Sequence, residues 1–232
     1  MSAFNDVRPI QGKDLSPGKS VEGFTIPLGS LTAGRLIFTD KAAGVTLLGG
    51  ADRKILVHGR LTRPVSWVGF ERGTVMIGPL GPAAASQPTE IHTTDDVFTL
   101  NGFLPWEIEF RLGTDQLIAR LDGLLLRSLK VLGVASQIRL ELGRLEGTAY
   151  LYLADESSQV TIHRPREAGV KIFAPEGISE LTLDGQRFGN FRRDAPLEST
   201  GFQSKPDWYE ISFAGLADQV TIDYPRRSEV DG

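Results

Sequence analysis

The chain has 232 residues, 41% hydrophobic and 23% charged, with 26 Gly and 13 Pro, a composition that excludes a disordered chain and points to a turn-rich globular protein. Its 25 Lys and Arg against 29 Asp and Glu give a net charge of −4, which speaks against a nucleic-acid binder held by phosphate neutralisation. Cysteine is absent, so disulfides, thiolate metal sites and cysteine nucleophiles are excluded together.

The end segment 1–20 (MSAFNDVRPIQGKDLSPGKS) holds no apolar core of signal-peptide length, and no later window is long enough to cross a bilayer. The expected place is therefore the cytoplasm, or the membrane periphery through a partner. Residues 13–20 (KDLSPGKS) end like a phosphate-binding loop, but Lys13 stands where that motif needs Gly. Strand-like segments follow around Leu36 and Val45, then at 54–61, 65–70 and 74–77. Residues 78–88 (GPLGPAAASQP) read as a protruding loop. His92 with Asp95 and Asp96 (IHTTDD) reads as a polar loop more readily than as a carboxylate–histidine site.

From residue 108 the chain repeats. Apolar anchors fall at Ile108, Leu129, Leu151, Ile172 and Ile211, and a second set at Leu117, Ile138, Val160, Leu181 and Val220 lies nine residues after the first each time. The steps are 21, 22, 21 and 39 in both sets. Around each anchor apolar and polar residues alternate, as in Ile108, Phe110 and Leu112 against Glu107, Glu109 and Arg111. Two short strands per coil of about 21 residues predict an all-β chain, a β-solenoid or β-helix-like stack, spanning 1–232 as a single elongated β domain.

Residues 114–132 also fit an amphipathic helix, with Leu117, Leu121, Leu124, Leu125, Leu129 and Leu132 on one face. Gly123 at its centre costs about 1 kcal/mol relative to Ala, and the repeat runs through it unbroken, so two strands are expected. The step of 39 equals one coil plus 18 residues, which makes 186–207 an inserted excursion, either a loop that meets a partner or a flap over the core. Residues 226–232 form a tail. Coils stacked in chain order would align Arg120, Glu141, His163, Asp184 and Asp223 as an outward ladder, with His163 between Glu141 and Asp184.

Motifs for chemistry are scarce. There is no G-x-S-x-G, no H-E-x-x-H, and only His58, His92 and His163 to hold a metal, so no catalytic, cofactor-binding or metal residue is predicted and the chain reads as not an enzyme. Trp67, Phe70, Trp106, Trp208 and Tyr209 either fill the core or line a sugar-binding face. The candidate interaction residues are Arg192, Arg193, Trp208 and Trp67.

The run from Gly169-Val-Lys-Ile through residues 177–188 (GISELTLDGQRF) to Trp208-Tyr-Glu-Ile-Ser-Phe, Gly215 and Gln219-Val-Thr-Ile resembles the C-terminal domain of LiaF-like proteins and the related toast-rack domains of bacterial envelope-stress systems. Residues 129–142 (LKVLGVASQIRLEL) are similar to the strand–Gly–small–strand repeat of those domains. The resemblance covers the second half of the chain. It implies an adaptor or scaffold in membrane-stress signalling, with no catalytic residues to carry over. The chain departs from the pattern in lacking a transmembrane span, and in having Glu176-Gly177-Ile178 and Ala214-Gly215-Leu216 where Gly-Gly is usual.

The function expected from these readings is a non-enzymatic scaffold or protein-interaction module, meeting an unknown protein partner or envelope component, with homo-oligomerisation left open. A carbohydrate-binding or adhesin-like module is the alternative, since stacked sheets present flat polar and aromatic faces. A polysaccharide-cleaving β-helix enzyme is a third, and it would need carboxylates converging in a groove.

Overall fold

Seventeen strands join into one hydrogen-bonded sheet, coiled on itself, in the residues that the computed structural model describes: 23–62, 66–79 and 95–225. In chain order they are β1 (Phe24–Pro27), β2 (Gly34–Phe38), β3 (Ala42–Gly50), β4 (Ile55–Arg60), β5 (Ser66–Glu71), β6 (Thr74–Pro79), β7 (Asp96–Asn101), β8 (Pro105–Phe110) and β9 (Thr114–Leu121). Then come β10 (Leu125–Val131), β11 (Ile138–Leu142), β12 (Thr148–Leu153), β13 (Ser157–His163), β14 (Gly169–Leu183), β15 (Gln186–Glu198), β16 (Trp208–Phe213) and β17 (Ala217–Asp223). Segments 1–20 and 226–232, most of 78–88 and His92 lie outside the described residues; Gly78 itself belongs to β6.

The predicted solenoid is present. The first strands of the coils pair in parallel in the order β6, β2, β8, β10, β12, β16, β14, and the second strands in the order β7, β3, β9, β11, β13, β17, then the later half of β14. All ten anchors lie in register. Ile108, Leu129, Leu151, Ile211 and Ile172 stack as partners at 3% exposure or less, as do Leu117, Ile138, Val160, Val220 and Leu181. Alternation decides this: every second side chain turns inward, and each coil hides its apolar edge only against its neighbours. Residues 114–132 are accordingly two strands, with the turn at 122–124 closed by Leu124 N–H on Leu121 O at 3.0 Å.

Glycine sets how closely the coils approach at one corner. A Cβ on Gly133 would sit 2.5 Å from the carbonyl carbon of Leu112, and one on Gly215 2.6 Å from that of Asp155, both backbone atoms of the next coil. Small inward side chains continue the corner beside them, in the bridges Thr114–Ala135–Ser157.

The stack does not follow chain order at either end, which corrects the expectation. β16 and β17, made last, lie between the β12–β13 coil and β14. β2 and β3, made early, likewise lie inside β6 and β7. The outermost strands run antiparallel: β5 on β6, β4 on β7 with β1 beyond it, and β15 along the whole of β14. The strand-like segments expected at 54–61 and 65–70 thus hold the end strands β4 (Ile55–Arg60) and β5 (Ser66–Glu71). The excursion 186–207 is also more ordered than its loop-like composition implied, being the strand β15 followed by a 3-10 turn at Phe202–Ser204. Antiparallel strands suit this place because a lone edge exposes unpaired amides; exposed Arg192 and Arg193, and Pro196, blunt the edge that β15 leaves.

Because the last coil is inserted, the outward ladder runs Arg120, Glu141, His163, Asp223, Asp184. His163 Nδ1 meets Asp223 Oδ1 at 2.6 Å, in place of Asp184. Asp184 instead takes the buried Arg164, whose Nη2 lies 2.7 and 2.8 Å from its two carboxylate oxygens. Arg164 also donates to Ala168 O at 2.5 Å and stacks 4.4 Å from the Tyr224 ring, fastening the connection between β13 and β14.

Candidate functional site

The outward side chains of the first-strand layer form two rows. One reads Arg35, Glu107, Ser128, Tyr150, Glu210, Lys171 across β2, β8, β10, β12, β16 and β14. The other reads Ile37, Glu109, Lys130, Tyr152, Ser212, Phe173 on the same strands.

At the β2 end the charges neutralise one another. Arg35 Nη2 lies 2.7 Å and Arg111 Nε 2.9 Å from the Glu109 carboxylate. Burial by itself would raise the pKa of Glu109, but the two guanidiniums outweigh it and hold the carboxyl below its ordinary range.

In the middle the rows open into a cleft of about 1010 Å³. Its floor carries Ser128, Lys130, Tyr150, Tyr152, Glu210 and Ser212. Tyr150 is 50% exposed, and none of Lys130, Tyr150, Tyr152 and Glu210 has a hydrogen-bond or ion-pair partner among the described residues. One wall is Pro105 and Leu125 at the strand starts; the other is Arg144, Leu145 and Glu146 in the connection between β11 and β12.

That connection is held at both ends by the inserted coil and its approach. Tyr209 Oη donates to Gly143 O at 2.7 Å, and Gly147 N–H to Asp207 Oδ1 at 2.6 Å. Tyr209 is fully buried, and burial pushes its phenol pKa well up, so the hydroxyl keeps its proton and the bond. The last coil therefore shapes the cleft without forming most of its floor.

The four candidate residues of the sequence are not gathered here. Trp67 lies on β5 and Trp208 at the start of β16, six strand steps apart at about 4.8 Å each, or about 29 Å. Trp208 is half-buried, with its ring edge-on to Phe202 at 5.8 Å. Arg192 and Arg193 are exposed on β15; Arg192 donates to Pro175 O at 3.2 Å and lies 3.9 Å from Glu176, while Arg193 stands 5.7 Å from the Phe191 ring. Arg192 borders a smaller groove of about 550 Å³ that also includes the exposed Val134 and Leu216. Of the other aromatics, Trp106 and Tyr209 are core, with Trp106 Nε1 donating to Asn101 O at 2.8 Å, and Phe70 packs on the core from outside. Among the described residues, no three His, Asp or Glu side chains group as metal ligands would.

Sequence reasoning missed Tyr150, Tyr152, Lys130 and Glu210. A signal was present: in residues 148–153 (TAYLYL) both tyrosines fall in the phase opposite to Ala149, Leu151 and Leu153, the phase that must face outward once those three are core.

No protein-family model matches the chain, and no curated protein does. Among solved structures, a candidate cell adhesion protein from Clostridium sporogenes superposes with a TM-score of 0.62 at 17% identity, covering 88% of this chain and 97% of that one. A candidate adhesin from Bacteroides fragilis covers 88% of this chain and 98% of its own at 8% identity, with a TM-score of only 0.30. The Clostridium protein shares the fold; at such identity the likeness goes no further. Among the described residues, no helix is long and apolar enough to cross a membrane.

Proposed function

We propose that the protein is a non-enzymatic interaction module that takes its ligand in the cleft over β10, β12 and β16. One observation carries the reading: the half-exposed Tyr150 stands beside Glu210, with Lys130 opposite the next tyrosine, Tyr152, and none of the three has a partner among the described residues, on a floor that is otherwise tightly hydrogen-bonded sheet. A rigid, pre-formed concave surface with a few free polar groups is the usual form of a recognition site. The cell-adhesion role proposed for the Clostridium protein of the same fold is in keeping with it. The test compares labelled native protein with Tyr150→Ala for binding to intact bacteria, isolated envelopes and immobilised extracellular matrix. Binding that the substitution abolishes supports the cleft; binding that ignores it places the ligand elsewhere.

A second reading, a scaffold in a bacterial envelope-stress system, is favoured by the segment that carries the toast-rack resemblance. Thr182–Arg187 forms the tip of the β14–β15 hairpin, with Asp184 and Gly185 in left-handed backbone at φ 51° and 79°. A stress-promoter reporter that responds to deletion of the protein, and to Arg192→Glu, would favour this reading; a silent reporter counts against it.

A further inference from the structure

We infer that the ligand of the cleft is a neutral oligosaccharide, an inference that rests on the cleft being the binding site. Three properties of the floor select it. The first is backbone saturation: β8 pairs with β2 and β10, β10 with β8 and β12, β12 with β10 and β16, and β16 with β12 and β14. With both edges of every floor strand occupied, an extended peptide finds no amide ladder to join, which is the main source of affinity when sheets bind peptides.

The second is charge. Arg127, Lys130 and Arg144 face Glu107, Glu109, Glu146 and Glu210 around the same cleft, and Arg144 already lies 3.8 Å from Glu167. Such a mixed set gives no cationic focus for phosphates, sulfates or uronates. It does supply what hydroxyl groups need: carboxylates that accept from neighbouring hydroxyls, an ammonium that donates, and the Ser128 and Ser212 hydroxyls that do both.

The third is the aromatic step. Tyr150 and Tyr152 are two residues apart on β12, so their rings follow one another by about 7 Å along the strand. Glu210 lies across from Tyr150 on one side and Ser128 on the other; Lys130 and Ser212 flank Tyr152 in the same way. A pyranose offers an apolar C–H face edged by hydroxyls. Laid on Tyr150, it meets the phenol ring below and polar groups on both flanks, and Tyr152 carries the next sugar unit. A volume of about 1010 Å³ accepts a short oligosaccharide.

The experiment applies the full chain to an array of neutral and acidic oligosaccharides and, in parallel, to a peptide array, using native protein, Tyr150→Ala, Tyr150→Phe and Glu210→Gln. Neutral glycans should bind, Tyr150→Ala should weaken them about tenfold or more, and Tyr150→Phe, which keeps the ring and loses only the hydroxyl, should weaken them clearly less than Tyr150→Ala does. Glu210→Gln should also weaken binding, and competition by the free oligosaccharide should reproduce the loss. Circular dichroism and melting curves should match across the set, and the two conservative variants keep the test valid if Tyr150→Ala does not fold. Peptides or acidic glycans bound in a Tyr150-dependent manner would overturn the neutral-sugar inference and leave the cleft as the site. Binding on either array, or to envelopes, that is indifferent to Tyr150 and Glu210 would overturn both.

Discussion

His163 on β13 and Asp223 on β17 are 60 positions apart in the chain and share a hydrogen bond of 2.6 Å across adjacent parallel strands. The pair exists because the last coil enters the stack beside β13. One row further out, Asp184 is left to Arg164, whose side chain is 1% exposed. The two aspartates occupy equivalent ladder positions and do different work. Asp223→Ala should cost about 1 kcal/mol, the net value of a partly exposed hydrogen bond. Asp184→Ala leaves a buried guanidinium without its counter-charge and should cost about 3–5 kcal/mol. Urea denaturation of both variants measures the contrast, and equal losses would mean that Arg164 finds another partner.

Ile172→Ala and Ile211→Ala each remove a fully buried side chain from the β16–β14 end of the first anchor stack, and each should lose about 2–5 kcal/mol by burial and cavity together. Tyr150→Ala, on the outer face of the same layer, should stay within about 0.5 kcal/mol of native. Chemical denaturation of the three proteins side by side checks the inward and outward phases at once.

Two glycines should respond to alanine with opposite sign. Gly133→Ala places a Cβ against the backbone of the neighbouring coil and should destabilise by more than about 1 kcal/mol. A Cβ at Gly123 meets nothing within 4 Å, so Gly123→Ala should be neutral or stabilising by about 0.4–1 kcal/mol. Thermal melts of the pair read the difference directly.

Glu109 makes stability depend on pH at the acid end. Its folded pKa is depressed below the unfolded value, so its contribution is fully present above the unfolded value and is lost as the pH falls through the folded one. Glu109→Gln forfeits that contribution from the start. Native protein should therefore melt above the variant at neutral pH, and the gap should close below about pH 4. A gap that widened on acidification would contradict the pairing with Arg35 and Arg111.

The repeat was legible because one physical rule generates it: an inward apolar side chain at a fixed place in every coil, as at Ile108 and Leu129. Spatial order was not legible. Anchor spacing says that Ile211 belongs to the stack, but its partners are Leu151 and Ile172, and nothing in a one-dimensional period distinguishes an inserted coil from an appended one. The antiparallel ends escaped for a related reason, since β4 and β5 alternate like any strand and only their pairing reveals their direction. The cleft was half readable. The phase of Tyr150 and Tyr152 follows from Leu151 and Leu153, whereas Lys130 and Glu210 come beside them only through register. Arg192 and Trp67 drew attention by residue type alone, which says nothing of neighbours.

An interior final coil also governs how the chain can be made. A ribosome releases β16 and β17 after β14 and β15, so the gap between β12–β13 and β14 must be filled from the C-terminal side instead of being added to an open end. A nascent chain stopped at residue 207 has nothing to separate β12 from β14, and would have to leave them unpaired or join them in a false register. Folding of this half must then wait for β16 and β17, with the long-range closure that slows β proteins placed after the other strands of this sheet have been made.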